Sequence, residues 1–203
     1  MRTVVFGSLE IAPSKIVCVG RNYVDHINEL NNERPDEPVI FIKPNSSISD
    51  QIHSGPTDQI QFEAELSFVV WNNRLSGVGV GLDLTKRDVQ SQLKSKGLPW
   101  ERAKAFDNSA VFSWFLPFPG DIADLELRLS VNDAPVQHAA YDLMIFKPAY
   151  LYACISSFMT LIDGDILMTG TPKGVTSFKA GDRFTGRIYA AGALLIEQTW
   201  KAQ

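Results

Sequence analysis

Between Leu125 and Val131 the sequence LELRLSV alternates without interruption: Leu125, Leu127, Leu129 and Val131 fall on one face, Glu126, Arg128 and Ser130 on the other. Side chains of an extended strand alternate with that period, so this segment reads as a strand with one buried face. Asn132-Asp133 then supplies turn chemistry, which makes the strand the first arm of a hairpin. Strand patterns of this kind dominate the chain. Lys15–Gly20 and Val39–Lys43 are short apolar runs. Gln61–Val70 carries polar residues at alternate positions, and Gly77–Leu82 ends at Asp83. Arg183–Tyr189 and Leu194–Thr199 form a final hairpin around Ala191-Gly192.

Helical patterns are fewer. Thr85–Lys96 suits a helix with Thr85 as its N-cap and Gly97 after its end. Pro148–Leu161 suits a second, with proline in the first turn, ending before Asp163-Gly164-Asp165. Asn22–Leu30 is a short candidate, and the polar, proline-containing Asn31–Pro38 reads as a loop or mobile cover. The expected architecture is mixed and mostly β with a few helices, in one domain spanning residues 1–203, a length that suits a single substantial core.

Several function classes are disfavoured. Net charge is −4 with no basic stripe, unlike a nucleic-acid binder. The longest apolar stretch, Leu143 to Ile162, is broken by Lys147 and Pro148 and does not read as a membrane span. The first residues lack the apolar run of a secretory signal. Cys18 and Cys154 sit in apolar runs and read as buried, reduced thiols. The expected location is the cytoplasm.

Two constellations carry chemistry. Glu63 and Glu65 lie in one predicted strand, so both point the same way, ~7 Å apart along the chain. Like charges so placed must be protonated, solvated or bridged by a cation. Asp83 is available as a third carboxylate, or as a helix cap. Spacing alone leaves open an ordinary solvated strand face. His26 and Glu29 are neighbours on a helical turn, where the carboxylate orients the imidazole for base catalysis; a plain surface pair has the same spacing. The three histidines, His26, His53 and His138, are too scattered for a zinc site.

Taken in order, the segments resemble the catalytic domain of the fumarylacetoacetate-hydrolase superfamily. GRNYVDHINE at Gly20–Glu29 resembles its GxNYxxHxxE opening, and PVIFIKPNSSI at Pro38–Ile48 its PVxFxKPxSxx segment. FEAELSFVV resembles YEAELAxVIG, LDLTKRDVQ at Leu82–Gln90 resembles NDVSARDxQ, KGLPWERAKAFDNSA resembles GxxWxxxKxFDxF, and DGDILMTGTPKGV at Asp163–Val175 resembles PGDxIxTGTPxGV. The ordered set covers about three quarters of the chain and is nearest to the small acylpyruvase and oxaloacetate-tautomerase branch. The resemblance implies a mixed β-roll, normally a homodimer; charge and apolar pattern already point to no nucleic-acid and no membrane partner. It implies Glu63, Glu65 and Asp83 as ligands of Mg²⁺ or Mn²⁺, Lys104 as the active-site lysine, and His26 with Glu29 as the catalytic dyad. Arg21, Tyr23, Lys43, Arg87, Gln90 and Thr171 would fall on or near the substrate pocket, Lys43 and Arg87 being equally suited to ion pairing with carboxylates. Two departures stand out: the stretch between Phe68 and Asp83 is short and lacks a helix usual there, and Asn108-Ser109-Ala110-Val111 replaces the family's continuation after Asp107.

The implied activity is metal-dependent chemistry on small 2-oxo acids. The cation polarises the 2-oxo acid, Lys104 adds positive charge, and His26 activates a water that attacks the distal acyl carbonyl. That would cleave an acylpyruvate to pyruvate and a carboxylic acid. Oxaloacetate tautomerisation or decarboxylation needs only the enolate half of this. The alternatives are an isomerase or decarboxylase of an aromatic-catabolism intermediate (fumarylpyruvate or 2-hydroxyhepta-2,4-diene-1,7-dioate type) and a catalytically idle metal-binding relative. A glycosidase fits less well, because its carboxylates flank the substrate from separate positions.

Overall fold

The alternating segments assemble into two packed sheets in a computed structural model that describes residues 1–29, 33–55 and 60–203. The larger sheet runs, edge to edge, through Val39–Pro44, Lys15–Gly20, Ile166–Met168, Ala64–Val70, Leu75–Asp83, Ala110–Phe112 and Ile48–Ser49. Its pairings are antiparallel except Ile166–Met168 with Lys15–Gly20 and Ala110–Phe112 with Ile48–Ser49. The smaller sheet is the antiparallel series Ala134–Ala140, Leu125–Val131, Arg183–Ala190, Ala193–Lys201. Both expected hairpins are present. Asn132, Asp133 and Ala191 take positive φ at the turns, the conformation that matches the twist of the strands they join.

The core lies between the sheets. Leu66, Val80 and Leu82 meet Leu125, Leu127, Phe184 and Ile188, all buried. The Ala64–Val70 strand is buried on both faces, since Val69 and Val70 pack into the neighbouring clusters. The helix Pro148–Ser156 covers Val17, Val19 and Leu167 through Leu151 and Ile155. Among the described residues no helix is long and apolar enough to cross a membrane.

Three expected boundaries differ. The strand expected over Gln61–Val70 is two strands, Ile60–Phe62 and Ala64–Val70, divided at Glu63. Ile60–Phe62 pairs instead with Thr85–Lys86 and Thr176–Ser177 in a small separate sheet, so the chain changes partners at Glu63. That pairing also corrects the helix start. Thr85 is in the strand, not a cap, and the helix runs Arg87–Ser95. The helix begun at Pro148 stops at Ser156 rather than Leu161; the Ser157 hydroxyl donates to the Cys154 carbonyl, a competing local bond that favours ending a helix. The short helix expected over Asn22–Leu30 spans Val24–Glu29, with Leu30 outside the described residues. Of the expected loop Asn31–Pro38, residues 31 and 32 also lie outside them.

Asp165 fastens the Asp163-Gly164-Asp165 turn to the strand beside it. Its Oδ1 accepts from the Ser14 hydroxyl at 2.6 Å and from the Lys15 N–H at 3.2 Å, its Oδ2 accepts from the Ile162 N–H at 3.0 Å, and Lys15 Nζ pairs with it. Burial alone would raise its pKa; the Ile162 N–H, Lys15 and Ser14 outweigh that and hold it below the usual value. A depressed carboxyl stabilises the fold above its unfolded pKa, ~3.9, and loses that contribution as pH falls through the folded value. Asp165→Asn should therefore cost about 1–3 kcal/mol at pH 7. Thermal melts should show the gap from wild type closing toward pH 3. A gap of constant size would show that charge is not what Asp165 contributes.

Candidate active site

The change of partners at Glu63 builds the carboxylate cluster. In the register of Ala64–Val70 with Leu75–Asp83, Glu65 lies opposite Gly81, which puts Glu65 and Asp83 on one face. Glu63 stands just outside the strand, and its carbonyl accepts the Asp83 N–H at 2.8 Å. A carboxylate oxygen from each of Glu63, Glu65 and Asp83 lies within 4.8 Å of the others. All three residues are buried, at 6%, 1% and 1% exposure, so the solvated-strand reading of Glu-x-Glu is overturned.

Three cations compensate the cluster unevenly. Lys104, at the end of the short helix Glu101–Lys104, donates to Glu63 Oε2 at 2.8 Å, Asp83 Oδ2 at 2.6 Å and Thr85 Oγ1 at 2.6 Å. Arg87 pairs with Glu63 Oε1 and donates to the Gln61 and Gln90 side-chain oxygens. Lys43 Nζ lies 2.8 Å from Asp83 Oδ1, but off the direction a hydrogen bond needs, so that oxygen is ion-paired without accepting one from any of the described residues. Lys43 is fully buried and donates to Ser109 and the Leu84 carbonyl; the structure makes it a strut behind the cluster, not a wall of the cleft.

The electrostatics follow. Burial works to raise the Glu63 pKa, but Lys104 and Arg87 win and hold it far below the usual range. Glu65 is pushed the other way: burial, then Asp83 and Glu63, raise it well above the usual range, and the Gly170 N–H on its Oε2 at 2.7 Å and the more distant charge of Lys104 only partly offset this. Burial opposes charge on Lys104, yet Asp83 and Glu63 raise its pKa. Gly170 is required where it stands. Its φ is +94°, and a Cβ there would meet Asn22 Cβ at 2.8 Å.

His26 of the dyad borders the cleft beside Glu63. His26, on the helix Val24–Glu29, is 6% exposed, so it is not a surface histidine. Its Nδ1 lies 3.1 Å from Glu29 Oε2, an arrangement that places the proton on Nδ1 and leaves Nε2 basic. Glu29 Oε1 accepts the Gly174 N–H at 3.1 Å.

His26, Glu63, Lys104, Arg21, Arg87, Gln90 and Thr171 border one small cleft, closed on its other sides by Phe41 and Trp100. Tyr23 does not border it. The Tyr23 ring is 2% exposed and lines a separate cavity of about 870 Å³ with Gln137, Pro172 and Lys173. That cavity is the larger, but Glu63, Lys104 and His26 border the smaller one. Arg21 takes φ +58°, a costly conformation for a side-chain-bearing residue, and its Nε is buried without a hydrogen-bond partner among the described residues.

Residues 15–196 match the family described as fumarylacetoacetate (FAA) hydrolase C-terminal. The chain belongs to the fumarylacetoacetate hydrolase family. It is 42% identical over 195 residues to oxaloacetate tautomerase YcgM of Escherichia coli (strain K12), covering 87% of this chain and 89% of that protein. It is 36% identical over 206 residues to the mitochondrial oxaloacetate tautomerase FAHD1 of Homo sapiens, covering 93% and 91%. Among solved structures, fumarylpyruvate hydrolase from Pseudomonas aeruginosa, crystallised with Mn²⁺ and pyruvate, superposes with a TM-score of 0.89 at 27% identity, covering 99% of this chain and 95% of that one. This member of the family is an enzyme.

The donor set of this fumarylacetoacetate hydrolase family member fits a hard divalent cation. All three candidate ligands are carboxylates, Glu65 carries repulsion that is only partly offset, and Asp83 Oδ1 accepts no hydrogen bond among the described residues. Two residues of the site escape a motif-by-motif reading. Lys94 borders the cleft one helical face along from Arg87 and Gln90, a spacing of three and four that the sequence displays. Gln137 is buried at an inward position of the Ala134–Ala140 strand, where alternation calls for an apolar residue.

Proposed function

We propose that the chain holds Mg²⁺ or Mn²⁺ on Glu63, Glu65 and Asp83 and acts on small 2-oxo acids. It would interconvert keto and enol oxaloacetate and cleave acylpyruvates to pyruvate and a carboxylic acid. The observation that supports this best is that Glu63 of the carboxylate cluster, Lys104 and His26 border one cleft, with Glu65 and Asp83 clustered on Glu63 and Glu29 against His26. An ion held for structure alone needs neither a base nor a lysine beside it. The names of the relatives, oxaloacetate tautomerases and a fumarylpyruvate hydrolase, support the same substrate class.

A bound divalent cation supplies Lewis-acid polarisation of the 2-oxo acid. The chain's own residues do the rest. Lys104 provides fixed positive charge where negative charge develops on the substrate oxygen. His26 Nε2 takes a proton, from C3 of the keto acid in tautomerisation or from water in hydrolysis, while Glu29 stabilises the resulting imidazolium. Loss of CO2 from oxaloacetate is open to the same site. Arg21, Arg87 and Lys94 converge on the cleft, and burial together with Arg21 and Arg87 lowers the Lys94 pKa. Three cationic side chains bordering one cleft suit a second substrate carboxylate, as in dicarboxylates such as oxaloacetate. Gln90 and Thr171 offer neutral hydrogen bonds beside them. The same proposal takes residues 1–203 as one catalytic domain working as a cytoplasmic homodimer.

The test is spectrophotometric. Enol-oxaloacetate and acetylpyruvate are each offered with Mn²⁺ or Mg²⁺, and again after chelation and dialysis. Loss of both activities on chelation, restored by the metal, is expected. Undiminished turnover of either substrate after chelation overturns the metal-dependent reading for that reaction.

A further inference from the structure

The strand that carries Glu65 loses its neighbour just where the carboxylates sit. Ile166–Met168 pairs with Ser67–Val69, and beyond it a single backbone bond, Thr169 N–H to the Leu66 carbonyl at 3.3 Å, continues toward the start of the Ala64–Val70 strand. Side chains take over. The Thr169 hydroxyl donates to the Leu66 carbonyl at 2.8 Å, and the Thr171 hydroxyl donates to the Ala64 carbonyl at 3.0 Å. The Ala64 N–H goes to Gln137 Oε1 at 2.9 Å, reached across from the other sheet. Gln137 Nε2 in turn donates to Thr171 Oγ1 at 2.9 Å and to the Pro172 carbonyl at 3.1 Å, closing a ring of Gln137, Ala64 and Thr171. Gly174 packs on the Ala134–Ala140 strand that carries Gln137, where a Cβ would meet the Val136 carbonyl at 2.3 Å.

Everything this ring touches leads to the chemistry. Ala64 lies between Glu63 and Glu65, so its peptide orientation sets where both carboxylates project. The segment from Gly170 to Gly174 gives one N–H to Glu65 and another to Glu29, the partner of His26. A buried carboxamide with donor and acceptor both used is costly to leave half-satisfied, so its geometry is tightly determined.

We propose that Gln137 is a positioning residue that locks the cation-binding carboxylates and the Gly170–Gly174 segment into one register from the opposite sheet. It touches no substrate. The inference rests on the reading of Glu63, Glu65 and Asp83 as a cation site, and its test separates the two. Calorimetric titration of the wild-type full chain with Mn²⁺ tests that reading. The Gln137→Met and Thr171→Val variants and their double test the ring. Removing a group that orients a metal ligand typically costs ~10–100-fold in affinity. Gln137→Met should weaken Mn²⁺ binding ~10-fold or more, and the double variant should be no weaker than Gln137→Met, because both changes break one ring. Folded Gln137→Met with wild-type Mn²⁺ affinity, or strictly additive losses, overturns the proposal. A measurement on the wild type stands apart from both metal and variant folding. By hydrogen exchange, the Ala64 amide should be as protected as the ladder amides of Leu66–Phe68, and exchange at the rate of an open loop overturns the proposal by itself.

Discussion

Glu65→Gln is expected to remove divalent-cation binding and yet not weaken the metal-free protein. Glu65 is the carboxylate whose charge is least compensated: Lys104 and Arg87 engage Glu63, Lys104 and Lys43 engage Asp83, and Glu65 takes the Gly170 N–H. Burial and the two neighbouring carboxylates raise its pKa in the folded state. With a raised value, the folded state keeps a proton that the unfolded state releases above ~4.3, so stability falls as pH climbs through the interval between them. Glutamine removes that penalty, keeps the shape, and still offers an oxygen to Gly170. Without metal, the variant should therefore melt at or above wild type at pH 8, with the difference shrinking toward pH 4. With Mn²⁺ the order should reverse. Wild type gains ~2.7 kcal/mol once the ion reaches a hundred times its Kd, and the variant gains little. Losing a ligand outright should exceed the ~10–100-fold cost of losing a supporting group. Wild-type Mn²⁺ affinity in Glu65→Gln would remove Glu65 from the cation site. A metal-free variant that melts well below wild type at pH 8 would contradict the repulsion argument.

The parts of this molecule that were legible in the sequence are those fixed by local rules. Leu125–Val131 and its hairpin turn, the final hairpin, and Lys15–Gly20 follow from alternation and turn chemistry, which depend on few distant contacts. The roles implied by resemblance at Glu63, Asp83, His26 and Lys104 fall on residues the fold brings together, although spacing alone left each with an ordinary surface explanation. What stayed hidden was decided by pairing at long range. No local pattern shows that Glu63 divides two strands, because Gln61 to Val70 alternates acceptably as one; only the rival pairing with Thr85–Lys86 divides it. The same pairing turns Thr85 from a plausible cap into a buried acceptor for Lys104. Lys43 and Tyr23 lie on segments that border the site, yet Lys43 reaches behind the cluster and Tyr23 into another cavity, and side-chain direction is not written in a motif. Gln137 carried a readable sign, a polar residue at an inward strand position, but its meaning depends on a loop more than thirty residues away.

His26→Ala should separate the three reactions that the cleft is proposed to run. The imidazole Nδ1 is occupied by Glu29, so Nε2 is the ring nitrogen placed to accept a proton. Hydrolysis of an acylpyruvate needs an activated water as well as a stabilised enolate. Losing a positioned general base typically costs 10²–10⁴-fold, and a fall of about that size in kcat for acetylpyruvate is expected. Mn²⁺ affinity should be nearly unchanged, since the imidazole is not one of the clustered carboxylates. Tautomerisation of oxaloacetate should fall by a smaller factor, because the proton at C3 is already acidified by the polarised 2-oxo group and bulk water can carry it. Decarboxylation, which needs no base, should fall least. Glu29→Gln should follow the same ranking with smaller losses, since it disturbs the orientation and charge of His26 without removing it. If all three reactions and metal affinity drop together in His26→Ala, the residue holds the cleft in shape rather than moving a proton. If hydrolysis is untouched, the base that activates water lies elsewhere in the site.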